Sequence, residues 1–506
     1  VGSAPRYPAE KIMVVSLPGV TIGSELQYTI RKEFTQRPFF SVTGIFQEAN
    51  PILSKTIKII SGDLKNLKVS KTTDNIKLPV ENGIGWRVKN CSAVPNEPGT
   101  PPIWTFVPSV FASNGDWVQY GAEINKAFMQ AALNQPQATQ MGKKLTDGVV
   151  EPLKKLRIIR DFVAENIRPA GPGLNDLPLA LMTAADVTLA ERYGNSVDRA
   201  ILLHALLFGA GLAAEPVAVS SQSAIKELEQ PLKNYPQQVF DEILVQVKLG
   251  DRIVYLNDTS QYAEPGAVNH EDRCALELTS GKIFKIAAQK ALQTGSEMTC
   301  RIKLDGNGAA VITVLRQYYG REFESRNRMF AEMTPEELKR YFQKIVSDIA
   351  QSAVAAGSLQ TDFKHYPGKE SFEVTIPDFA VKETGFLYFK LPGSFMADLL
   401  HTGADGRKNP FLQNGLVKDR MNYQIELPDC PLEVKLMPES YCWQYPGDGG
   451  EVKVEVTRQG RQLNVTGLVD FKPAFVSPAE YLSIINAQAK LSSPKMVLVL
   501  IALLKK

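Results

Sequence analysis

Histidine and cysteine are both scarce in this chain, at four and five residues among 506. The five cysteines (Cys91, Cys274, Cys300, Cys430, Cys442) show no CxxC spacing. Neither a zinc site nor a disulfide-rich scaffold is therefore expected, and no metal or other cofactor. Charge of one sign is also in short supply: 57 lysines and arginines stand against 54 aspartates and glutamates. No window carries the basic stripe that a phosphate backbone demands, which argues against nucleic acid as a partner. Long apolar runs are missing too. The longest, Met496 to Leu504, is less than half of the roughly 20 residues that cross a bilayer, and its alternation suits a strand. No membrane span is expected. The chain opens at Val1 without the charged, apolar and small-residue succession of a secretory signal, which fits a cytoplasmic protein or one whose signal has been removed.

Apolar residues make up 44% of the chain and charged residues 22%, the balance of an ordinary folded protein. Its length exceeds what one core usually supports, so the chain should divide. Residues 1–120 read as a β-sandwich-like domain: Leu26, Tyr28 and Ile30 alternate with polar neighbours, as do Trp86 and Val88, between Pro- and Gly-rich turns. Strand signals so close to Val1 fit a domain truncated at its start.

Residues 121–294 turn helical. Leu153, Leu156, Ile159, Phe162, Val163 and Ile167 share a face behind Pro152, a first-turn proline. A second, strongly apolar helix runs from Ser196 or Val197 to Phe208, ended by Gly209 and Gly211, and reads as a buried central helix. A hairpin follows, with Ile243, Val245 and Val247 on one strand and Ile253 to Leu256 on the other. Residues 295–506 read as a β-rich domain interrupted by one helix near 334–356, with Thr334 as N-cap, Pro335 at N1 and Glu337 closing a capping box. The fold class expected is α+β multidomain.

Residues 191 to 220 read ERYGNSVDRAILLHALLFGAGLAAEPVAVS. They resemble the signature of the transglutaminase-like, papain-related superfamily, in which a Gly-x-Cys step opens a buried helix and a strand follows its closing glycine. The resemblance implies a cysteine-proteinase type α+β core. It places the family's nucleophilic cysteine at Ser196, its histidine at the start of the following strand, here Glu242 or Asp241, and its aspartate at Asp258. Flanking stretches extend the likeness over nearly the whole chain. Residues 14–32, VVSLPGVTIGSELQYTIRK, resemble the β domain of unknown function that precedes such cores in multidomain bacterial proteins, and GREFESRNR at 320–328 resembles the companion C-terminal β region.

Two of the three catalytic positions depart from the family. A helix N-terminus stabilises a thiolate, but a serine hydroxyl is hardly ionised near neutrality and needs a base. A carboxylate of pKa near 4 is a weak one. Turn length decides which acid takes the histidine position. A loop of Leu249 to Asp251 puts Glu242 opposite Asp258, whereas a loop of Gly250 and Asp251 alone puts Ile243 opposite and Asp241 on the diagonal. His204 lies two turns along the helix from Ser196, about 12 Å, and His270, His365 and His401 have no ligand-spaced partners nearby in sequence.

The expectation is a catalytically inactive protein that acts as a binding or scaffold module, with a peptide or glycan in its cleft, on the extracytoplasmic side of a bacterium, as the resemblance implies. Two alternatives stand beside it: a hydrolase using Ser196 with a carboxylate base, and a structural interaction protein with no cleft ligand. Asp305-Gly306-Asn307-Gly308 reads as a hairpin turn and not a calcium loop, and Tyr441, Trp443 and Tyr445 as β-core residues more readily than as a carbohydrate platform.

Overall fold

The computed structural model describes residues 4–7, 14–34, 36–60, 62, 65–70, 77–80, 83–176, 178–256, 260–393 and 406–504. Near the N-terminus two three-stranded antiparallel sheets face each other. One orders Ser41–Ile45, Ser109–Ser113 and Lys68–Val69; the other orders Ile52–Ile60, Gly83–Cys91 and Lys77–Val80. Phe46, Ile59, Trp86, Val110 and Ala112 fill the small core between them. Residues 14–34 differ from the sequence expectation. They carry no strand, and Leu26, Tyr28 and Ile30 are all exposed. Alternation marks a chain suited to a half-buried strand, but a strand exists only where a second one accepts its hydrogen bonds.

The middle of the chain packs helices α1 (Trp117–Ala132), α2 (Pro136–Leu145), α3 (Pro152–Asn166), α4 (Ala185–Glu191), α5 (Ser196–Gly209) and α6 (Lys226–Asn234) with a five-stranded antiparallel sheet. The sheet runs in the order Arg252–Leu256, Glu242–Leu249, Ala214–Ser223, Arg273–Glu277, Ile283–Lys285. Helix α5 is the apolar centre, with eleven of its fourteen residues buried. Its glycine has a different purpose from the one its position suggested. A Cβ on Gly209 would sit 2.1 Å from the carbonyl oxygen of Thr139, and one on Gly142 would sit 2.1 Å from that of Leu206. Gly209 is thus the last helical residue and permits close approach of α2, while Gly211, at φ +77°, turns the chain out of the helix.

Beyond residue 295 a nine-stranded sheet built on Gly295–Leu304 and Ala310–Tyr319 faces a four-stranded sheet across one core. In the four-stranded sheet Leu498–Leu503 lies between Phe386–Lys390 and Leu432–Leu436, so the apolar run near the C-terminus is an interior strand, as its alternation indicated. The described residues hold three helices here where the sequence reading had one. GREFESRNR opens α7 (Gly320–Glu332), α8 (Pro335–Ser347) ends nine residues earlier than expected, and α9 (Pro478–Leu491) is additional. Thr334 and Glu337 form the expected capping box, and Ser477 with Glu480 forms a second one at the head of α9. Asp305 Oδ1 accepts from the backbone of Asn307 (2.8 Å) and Ala309 (2.9 Å), which makes 305–308 a hairpin turn. Tyr441, Trp443 and Tyr445 lie on one strand packed into the core.

One charge is fully enclosed in this region. Glu370 has no exposed surface; its carboxylate pairs with Arg316 at 2.9 Å and accepts the hydroxyls of Tyr341 (2.8 Å) and Tyr318 (3.3 Å). Burial and this carboxylate together push the Tyr318 phenol up to about 12. The tyrosines therefore remain donors, and the acceptor capacity of the buried oxygens is used.

Candidate active site at the head of the central helix

Ser196 is the first residue of α5 and half-buried. Asn195 caps the helix, its side-chain oxygen accepting from the backbone of Asp198 at 2.8 Å. The position suits a nucleophile, since the helix N-terminus faces a developing negative charge there. A serine there also needs a base to take its proton.

Sheet register settles which acid could supply one. Val245 pairs with Leu256 and Leu249 with Arg252, so the turn is Gly250 and Asp251 alone. Ile243, Val245 and Val247 pack with α5 in the helical core. Leu244 points the other way, into a second cluster with Val217, Val219 and Tyr255. Side chains alternate along a strand, so Glu242 belongs to the far face, whereas Asp241 precedes the strand and its carboxyl is hydrogen-bonded to Ser221. The pairing of Glu242 with Val219, a member of that second cluster, agrees. Of the two residues proposed for the histidine position, Glu242 therefore faces away from α5, which leaves Asp241. Burial, with like charge from Asp176, pushes its carboxyl above the ordinary value despite opposing hydrogen bonds, and its Oδ1 is buried without a hydrogen-bond partner. Asp258 lies outside the described residues.

An imidazole does occur near Glu242, which sequence spacing did not reveal. His270 Nε2 is 3.5 Å from Glu242 Oε2. Both lie on the far face of the sheet. Burial pushes His270 down to about 4, helped by repulsion from Arg273 and Arg321, so at neutral pH a neutral ring meets the carboxylate. Burial and Asp241 raise the Glu242 carboxyl. The other described histidines are engaged elsewhere: His204 Nε2 contacts the Ala214 carbonyl at 3.1 Å and its ring packs edge-on to Phe128, and His365 approaches Asp362 at 3.0 Å. His401 lies outside the described residues. Because the folded pKa of His270 is depressed, its contribution to stability is full above its ordinary value of 6.5 and is lost as pH falls toward 4. A proton NMR titration should place the His270 midpoint near 4, and His270→Asn should flatten the loss of stability between those pH values.

The helix head itself is occupied by the chain's own N-terminal residues. Tyr7 donates its hydroxyl to Asp198 Oδ2 at 2.5 Å and accepts from the backbone N–H of Asn195 at 2.6 Å. Arg6 adds bonds to Asp198 Oδ2 (3.2 Å), the Tyr193 carbonyl (3.0 Å) and Glu191 (2.6 Å), with its guanidinium 4.8 Å over the Tyr193 ring. Asp198 is 1% exposed, and Thr183 N–H supplies its other oxygen at 2.8 Å. The Tyr7 ring lies so close to Gly171 that a Cβ there would be 2.6 Å from it. The hollow beside Leu174, Asn195, Val197 and Asp198 measures about 10 Å³, room for one water at most. Arg6 and Tyr7 are separated from these partners by more than 180 residues, and no local pattern announces them.

No family model matches the chain, and no curated protein matches it. Among solved structures, a protein of Parabacteroides distasonis provisionally named a protease superposes with a TM-score of 0.56 at 15% identity, covering 93% of this chain and 76% of that one. A protein of Cytophaga hutchinsonii provisionally named a cysteine protease covers 44% of this chain and 78% of its own, at 12% identity and a TM-score of 0.20. The first likeness extends over nearly the whole length of the chain and shows that it shares the fold of a protein named for proteolysis.

Proposed function

We propose that this protein is a catalytically inactive relative of the transglutaminase-like, papain-related enzymes, serving as a binding or scaffold module on the extracytoplasmic side of a bacterium. The observation that carries this reading is the occupied helix head. Arg6 and Tyr7 hold the polar groups around Asn195 and Asp198, where an active relative would need access for a substrate acyl group. The chemistry points the same way. Ser196 stands in the cysteine position, and the described imidazoles bond elsewhere or lie on the opposite sheet face. The placement outside the cytoplasm rests on the family resemblance.

A Ser196 hydrolase is the competing reading, and Asp241 is the residue it would use, since Glu242 faces away and the Asp241 carboxyl has a raised proton affinity. A fluorophosphonate probe separates the two. The inactive reading expects no labelling that depends on Ser196, whereas labelling abolished by Ser196→Ala establishes the hydrolase. Ancestral geometry can be tested by Ser196→Cys with Asp241→His, the histidine going to 241 because side chains at 242 face away. Thiol alkylation several-fold faster than in Ser196→Cys alone is expected once Tyr7 is also replaced by alanine.

A further inference from the structure

A second cavity, of about 550 Å³, lies away from the helix head, where residues 98–99 meet the C-terminal β region. Its walls are held in place. Glu97 accepts the backbone N–H groups of Lys408 (2.9 Å) and Asn409 (2.8 Å), and Arg407 donates to the Pro98 carbonyl at 2.7 Å. Gly99 is packed so tightly on Phe411 that a Cβ would lie 2.4 Å from its ring. The volume is that of a preformed small-ligand site.

The lining rings Tyr318, Tyr445 and Phe471 are each no more than 4% exposed. They are set into the wall, and the apolar surface left open to the hollow belongs to the half-buried Phe411, Leu416 and Val417, which suits an apolar side chain. One cation on the wall lacks a counter-charge. The Arg326 guanidinium lies 5.1 Å over the Tyr318 ring, and its hydrogen-bond acceptor is the Met329 sulfur at 3.8 Å. Among the described residues no carboxylate pairs with it. Glu370, beyond Tyr318, is already matched by Arg316, and Asp419 holds Ser296 with one oxygen at 2.6 Å. Glu322, one turn earlier on α7, also lines the cavity and would repel a second negative group, so a single carboxylate fits better than a polyanion. Lys418, the other cation on the wall, donates to Gln293 at 3.1 Å and lies 3.9 Å from Asp470, so Arg326 is the wall cation left for a chain-terminal carboxylate.

We propose that this cavity binds the carboxyl end of a peptide, with the terminal carboxylate on Arg326 and an apolar last side chain against Phe411, Leu416 and Val417. The site is separate from Ser196 and stands whether or not that residue is active. Isothermal titration calorimetry of the full chain with N-acetyl-Ala-Phe, as the free acid and as the C-terminal amide, tests it. The acid should bind about ten-fold tighter or more, the worth of one charge-assisted pair. Arg326→Gln should erase the preference, Arg326→Lys should keep part of it, and N-acetyl-Ala-Lys acid should bind more weakly than the Phe peptide. Equal binding of acid and amide, no measurable binding of either, or a preference that survives in a folded Arg326→Gln variant overturns the proposal.

Discussion

Tyr7→Ala should cost about 3 to 5 kcal/mol of stability, the range for truncating a buried aromatic side chain. The ring is 9% exposed and packs edge-on to Tyr193, with centroids 6.1 Å apart. The hydroxyl adds to the loss, because Asp198 Oδ2 and the Asn195 N–H both bond to it inside the protein. Tyr7→Phe isolates that part, at about 1 to 3 kcal/mol for buried polar groups left short of a partner. Arg6 would then carry the Asp198 charge alone at 3.2 Å. Chemical denaturation of the three proteins measures both steps. Equal stability of wild type and Tyr7→Ala would mean that the N-terminal residues do not hold the helix head in solution, and the case for an occluded site would lose its main support.

Glu370→Ala should destabilise the C-terminal region by about 3 kcal/mol, the lower end for breaking a buried ion pair, since Arg316 retains 24% side-chain exposure and can recover some hydration. The loss arises less from the attraction removed than from what is stranded: a guanidinium and two tyrosine hydroxyls facing an apolar wall. Adding Arg316→Met to Glu370→Leu should restore much of the stability, because neither charge then remains to be desolvated. Urea melts of the two single variants and the double variant form the cycle that measures this coupling. Strictly additive losses would show that the two side chains do not act as a pair.

The sequence carried the local devices well. The N-terminal Pro of α3, the Thr334 box, the apolar wheel of α5 and the hairpin around Gly250 each depend on residues a few positions apart, and each is present. Ser477 and Glu480 carry the same signal at the head of α9, within a stretch whose strand alternation dominates the pattern. Pairing was legible only where both strands are neighbours. The alternation at Leu26, Tyr28 and Ile30 said nothing about whether a partner strand lay beside it. At the candidate site, the family resemblance alone places a cysteine where Ser196 stands, and the facing of Glu242 turned on a single residue of turn length. The approach of His270 to Glu242 and of Tyr7 to Asp198 joins segments that are remote in the chain, and nothing in their immediate neighbours encodes it.

Strand Leu498–Leu503 bonds on one side to Phe386–Lys390 and on the other to Leu432–Leu436, both made earlier in synthesis. Until it pairs, those two strands present bare edges to each other across an empty lane, and Phe386–Lys390 is held only by its short neighbour Val381–Glu383. A nascent chain that has not yet reached residue 498 can close its helical core but not this sheet. The C-terminal region can therefore complete this sheet only once Leu498–Leu503 is present to fill the lane.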